Sequence, residues 1–70
     1  MSFKKQFFVN GHQFYTNSTI TLSDLIYYFN YTKSIFVLEY NNSICEKTQW
    51  NKISIRNNDK IEIVTIVGGG

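Results

Sequence analysis

A chain of 70 residues has room for one small domain and little scope for a deep catalytic pocket. Hydrophobic residues make up 43% and aromatics 17% at a net charge of only +2, so a core is available and intrinsic disorder is excluded as the main state. A single cysteine, Cys45, excludes an internal disulfide framework and every multi-cysteine zinc site, and fits reducing, intracellular surroundings. No stretch approaches the roughly 20 apolar residues that span a bilayer, so no membrane role is expected. The apolar cluster at Phe7, Phe8 and Val9 falls well short of a signal peptide's apolar region. Half of the residues are Phe, Tyr, Met, Ile, Asn or Lys, the types encoded by AT-rich codons, and Pro and Ala are absent. That bias points to an AT-rich genome, such as a plastid or a low-GC bacterium, and hence to the plastid stroma or a bacterial cytoplasm.

Phe3 to Val9 mixes aromatics and Val with lysines and reads as a strand. Asn10-Gly11 follows, a pair suited to a type I′ turn because both central positions need positive φ, and His12 to Thr16 reads as the returning strand. Alternation puts Phe7, Val9 and Phe14 on one sheet face and Phe8 and Tyr15 on the other. Thr21 stands three residues before Asp24, a spacing that caps a helix N-terminus and sets a carboxylate at the positive end of its dipole. Leu22, Leu25, Ile26 and Phe29 then form one apolar stripe, giving a helix over Leu22 to Asn30. Ile35 to Tyr40 reads as a strand buried on at least one face, and Asn41-Asn42-Ser43 as a turn. Ile44 to Ile55 reads as a short strand plus a compact loop anchored by Ile44, Trp50, Ile53 and Ile55. Asn57-Asn58-Asp59 is a further turn, Lys60 to Val67 the last strand, and Gly68-Gly69-Gly70 follows it. A last strand pairing parallel to the first gives an α+β, β-grasp sheet of four to five strands with one helix across a face, one of several α+β options that the pattern allows. The domain is expected over residues 1–67, with residues 68–70 as a flexible glycine tail.

The catalytic inventory is thin. His12 is the only histidine and sits beside a turn, where a solvated side chain is the plainer reading than a proton-transfer role. Cys45 has Glu46 and Lys47 as its near charges and reads as a small apolar residue rather than a nucleophile. Asp24, Glu39, Glu46, Asp59 and Glu62 are scattered, with no spacing that assigns acid–base work or a metal site. The cations are Lys4, Lys5, Lys33, Lys47, Lys52, Lys60 and Arg56. Lysine lacks the bidentate fork that reads phosphate or guanine, and these are interleaved with acids. A solvated surface is the plainer reading, and no nucleic-acid partner is expected. A chain with no catalytic residues of its own and no metal site is therefore expected.

The glycine tail carries the most information. Glycine has no Cβ to clash, so such a run can thread a narrow active site of another enzyme and present its α-carboxylate there. Asn10-Gly11 after the first strand, Thr21-Leu22-Ser23-Asp24-Leu25-Ile26 at the helix start, Trp50 in the middle, and Asp59-Lys60-Ile61-Glu62-Ile63-Val64-Thr65-Ile66-Val67-Gly68-Gly69-Gly70 at the end together carry a resemblance. Almost the whole chain resembles the ThiS family, small ubiquitin-like β-grasp sulfur carriers of thiamin biosynthesis.

The resemblance implies a carrier that is acted upon. A ThiF-type adenylating enzyme, using ATP and Mg²⁺ that the carrier itself does not bind stably, converts the terminal carboxylate to an acyl-adenylate. Sulfur from a cysteine desulfurase route displaces AMP to leave a thiocarboxylate, which donates sulfur to a ThiG-type thiazole synthase. On this sequence Gly70 is the modified residue, with Gly69 and Gly68 in the threaded tail. The family fold places Ile61 and Ile63 in the core, which leaves Val64 and Ile66 as an exposed docking patch. The alternative within the superfamily is a carrier like the small subunit of molybdopterin synthase. Those proteins tend to be longer and to carry prolines before the glycines, and this chain has none. Outside the superfamily, the alternative is a non-catalytic ubiquitin-like interaction module with an inert tail.

Overall fold

The computed structural model describes residues 4–31 and 35–66. Five strands, β1 (Lys5–Val9), β2 (His12–Thr16), β3 (Phe36–Tyr40), β4 (Ser43–Ile44) and β5 (Asp59–Thr65), form one mixed sheet in the order β2-β1-β5-β3-β4. The helix α1 (Leu22–Tyr28) lies across one face, and a short 3₁₀ turn spans Lys47–Gln49. The last strand is parallel to the first, pairing Phe7 with Asp59 and Val9 with Ile61, and antiparallel to β3. This is the expected β-grasp arrangement.

Asparagine shapes the connections. Every non-glycine residue with positive φ among the described residues is Asn: 10, 30, 41, 42 and 58. Its short polar side chain tolerates the left-handed region better than other residues with a Cβ. Asn10-Gly11 and Asn41-Asn42 therefore make two-residue hairpin turns, with φ of 51° and 82° in the first and 50° and 73° in the second.

The capping box at the helix start forms as the spacing implies. Thr21 Oγ1 accepts from the Asp24 N–H at 3.2 Å, and Asp24 Oδ2 accepts from the Thr21 N–H at 2.8 Å. The helix stops at Tyr28 rather than Asn30. Asn30 turns left-handed and donates to Tyr27 C=O, while the Tyr31 N–H donates to Ile26 C=O. That is a Schellman closure with Asn in the usual glycine place. Strand β5 likewise begins one residue earlier than Lys60 and ends at Thr65, with Val67 outside the described residues.

Leu22, Leu25 and Ile26 from the helix meet Phe7, Val9, Leu38, Ile61 and Ile63 from the sheet, with Ile55 closing the layer. Phe14 extends it, stacking on Phe7 and meeting the edge of Phe29. The stretch between β4 and β5 is laced to the helix start: Leu22 N–H donates to Ile53 C=O, Ser23 N–H to Trp50 C=O, and Ile55 N–H to Ile20 C=O. Irregular chain is tolerated there because its backbone groups are satisfied by a fixed neighbour.

Asp59 is the one buried ionisable side chain among the described residues. Its carboxylate accepts from Tyr40 Oη at 2.6 Å, the Arg56 N–H at 2.7 Å and Asn41 Nδ2 at 3.1 Å, tying the β3–β4 turn to the start of β5. Burial first, and then the hydrogen bond to Asp59, push the Tyr40 phenol from 10.0 up to about 12. A raised folded value favours the protonated phenol, so this stabilisation is complete below pH 10 and lost as pH rises towards 12. Tyr40→Phe should be less stable at neutral pH by about 1.5 kcal/mol. It should also lack the part of the alkaline loss seen in the parent, as chemical denaturation across that pH range would record.

Candidate functional site

Strand parity sorts β5 into two faces. Ile61 and Ile63 turn to the helix and are buried, Ile63 being 6% exposed, whereas Val64 and Ile66 are 53% and 52% exposed on the opposite face. The two candidate docking residues thus share one exposed side of one strand, as the family resemblance implies. Gly68, Gly69 and Gly70 lie outside the described residues.

The β3–β5 register enlarges the patch. Val37 is opposite Val64, and Ile35, 73% exposed, meets Ile66 through the Ile66 N–H donating to its C=O at 2.8 Å. Ile35, Val37, Val64 and Ile66 therefore form a four-residue apolar surface beside the point where the chain runs on into its glycines. Further from that point the same face turns polar. Glu39 lies opposite Glu62, Ile44 stands beside Glu39, and Lys60 pairs with Phe8. On the far strands Gln13 Nε2 donates to Gln6 Oε1 at 2.7 Å and to Tyr15 Oη at 2.9 Å, with Lys4 Nζ 5.2 Å from the Tyr15 ring centre. The sequence reading missed Ile35 and Val37 as members of this surface, and it took Ile44 as an anchor of the loop, whereas Ile44 is 72% exposed. The signal was present in the apolar run from Ile35 to Leu38, but assigning its odd residues to the outer face needs the register with β5.

The other singled-out residues do not assemble a reaction centre. His12 is exposed at the start of β2. Cys45 is half-buried after β4, and its C=O accepts from Trp50 Nε1 at 2.9 Å. Burial, and next the nearby Glu46 carboxylate, raise the Cys45 thiol above its usual pKa, which lowers its thiolate fraction and its nucleophilicity. Trp50 stacks on Phe36 with ring centres 5.1 Å apart, walling an open apolar groove between the helix and β3. Among the described residues no group of three or more His, Cys, Asp and Glu is placed to hold a metal ion. Among the described residues no helix is long and apolar enough to cross a membrane.

Comparison with known proteins bears on this geometry. The ThiS family model matches residues 7–70. The chain belongs to the ThiS family. A solved structure titled as the thiamine biosynthesis protein ThiS from Geobacter metallireducens superposes with a TM-score of 0.76 at 18% identity, covering 93% of this chain and 99% of that one. That likeness carries the fold. A protein of Trieres chinensis named "Uncharacterized protein ycf40" is 61% identical over 70 residues, all of this chain and 96% of the relative. Proteins of the same name from Porphyra purpurea and Pyropia yezoensis are each 31% identical over 62 residues, 89% of this chain and 87% of each relative. Membership of the ThiS family supports a sulfur-carrier role in general terms.

Proposed function

We propose that this ThiS-family chain carries sulfur for the thiazole ring of thiamin, as a protein co-substrate with no catalytic residues of its own. The observation that carries the reading is a family match reaching from residue 7 to Gly70, through β5 and the glycine run. The Gly70 carboxylate is a poor electrophile as it stands. Attack of its oxygen on the α-phosphorus of ATP, held with Mg²⁺ by a ThiF-type enzyme, releases pyrophosphate and leaves an acyl-adenylate. The outer sulfur of a cysteine persulfide, supplied by a cysteine desulfurase route, then displaces AMP, and a thiol that reduces the resulting acyl disulfide releases the thiocarboxylate. A ThiG-type thiazole synthase receives that sulfur.

In this account Gly69 and Gly68 give the tail the narrow cross-section that threading needs, since neither carries a Cβ. Val64 and Ile66 dock the carrier, and the exposed apolar surface that they share with Ile35 and Val37 favours this role. The name shared by the three relatives is that of a plastid-encoded gene, which favours the plastid stroma as the working compartment.

ATP–pyrophosphate exchange with a ThiF-type enzyme, followed by intact-mass detection of the thiocarboxylate, tests the reading. Exchange that requires the carrier supports it, and its absence in the parent chain contradicts it. Cys45→Ser should keep full sulfur loading, because the transferable sulfur resides on Gly70 and the Cys45 thiol is held protonated. Loss of loading in a folded Cys45→Ser variant would move the chemistry to the thiol.

A further inference from the structure

Strand β5 loses its neighbour on one side beyond Ile61. Strand β1 ends at Val9 and the chain turns away at Asn10-Gly11. Asn10 completes the ladder twice over: its N–H donates to Ile61 C=O at 2.9 Å, and its side-chain Oδ1 accepts from the Ile63 N–H at 2.7 Å. On the other flank the even-numbered residues of β5 face β3. Glu62 is opposite Glu39, Val64 is opposite Val37, and the Ile66 N–H bonds to Ile35 C=O. Backbone alternation then turns the Ile63 carbonyl and the Thr65 N–H towards the side that β1 has left. Among the described residues neither group has a hydrogen-bond partner.

We propose that this open edge seats an extended segment of the adenylating enzyme, added as a further strand beside residues 63–66. The inference rests on the sulfur-carrier reading above and specifies how that partner engages. One carbonyl and one N–H on the same side of an extended chain are matched together by another backbone in strand conformation. Two such bonds are a small attachment, and the exposed Val64 and Ile66 side chains add apolar area directly alongside them. Four residues, 67–70, follow Ile66 in the sequence, and fully extended they reach at most about 14 Å. A strand laid against residues 63–66 therefore sets the direction of that run, so a single pairing event both docks the carrier and aims Gly70.

Thr65→Pro tests the edge. Proline removes one N–H, and at Thr65 that N–H points away from β3, the situation in which strands accept proline. The variant is expected to fold, with a thermal midpoint close to the parent. The carrier concentration giving half-maximal pyrophosphate exchange with a ThiF-type enzyme, ATP and Mg²⁺ should rise about tenfold. Thr65→Val regains the N–H without the hydroxyl and should engage the enzyme about tenfold more tightly than Thr65→Pro. As a second measurement on the parent, the Thr65 amide should exchange with solvent freely in the isolated carrier and slow when the enzyme is added. A folded Thr65→Pro that is adenylated as well as the parent, or a Thr65 amide that stays unprotected in the complex, overturns the strand-addition inference and leaves the carrier reading intact. A parent chain that supports no exchange at all overturns the carrier reading itself.

Discussion

Ile63→Asp should unfold the protein, while Val64→Asp and Ile66→Asp should leave it folded and impair docking. The two outcomes follow from one strand. Ile63 is packed under the helix beside Leu38, its register partner, whereas Val64 and Ile66 are more than half exposed. An unpaired carboxylate at Ile63 costs several kcal/mol, of the order of the ~5 kcal/mol that holds a small domain together. The same charge at Val64 or Ile66 stays hydrated and should move stability by no more than about 0.5 kcal/mol. On docking it would be desolvated without a partner, so binding to the adenylating enzyme and to thiazole synthase should weaken by about tenfold or more. Thermal melts and binding titrations on the three variants separate the effects. If Val64→Asp melts as early as Ile63→Asp, the patch is on the wrong face.

The second large effect concerns the tail. One residue added after Gly70, or Gly69→Val, should leave the thermal midpoint unchanged and lower carrier-dependent ATP–pyrophosphate exchange by at least about 100-fold. Adenylation needs the carboxyl carbon at one place relative to the α-phosphorus, so an added residue displaces the reacting group. A β-branched side chain at Gly69 obstructs a passage shaped for glycine. An interaction module with an inert tail would tolerate both changes, and so would any mechanism centred on Cys45.

Much of the fold was legible in the sequence because local signals and global demands coincide. Asn10-Gly11 specifies a hairpin and Thr21 with Asp24 specifies a helix start, whereas both faces of β5 are apolar, so the family resemblance and not parity put Ile61 and Ile63 on the face that meets the helix. The parts that escaped depend on register. Nothing local in Asn10 says that its carboxamide bonds to Ile63 across the sheet, because the two residues meet only once β5 lies parallel to β1. Asn30 reads as an ordinary helix residue until its positive φ closes the last turn. The Asp59 cluster brings together Tyr40, Asn41 and Arg56 from a hairpin and a separate loop, contacts that no periodicity encodes. The apolar patch was half legible: Val64 and Ile66 share a face by parity and are set outward by the family resemblance, while Ile35 and Val37 follow only from the pairing of two strands.

Intact-mass analysis of the protein isolated from its native cell decides whether sulfur is carried on the Gly70 carboxylate. A fraction of the molecules should be heavier by one exchange of oxygen for sulfur, with fragmentation placing the change at Gly70. Sulfur found on Cys45 instead, or a tail that is never modified in cells making thiamin, would contradict it.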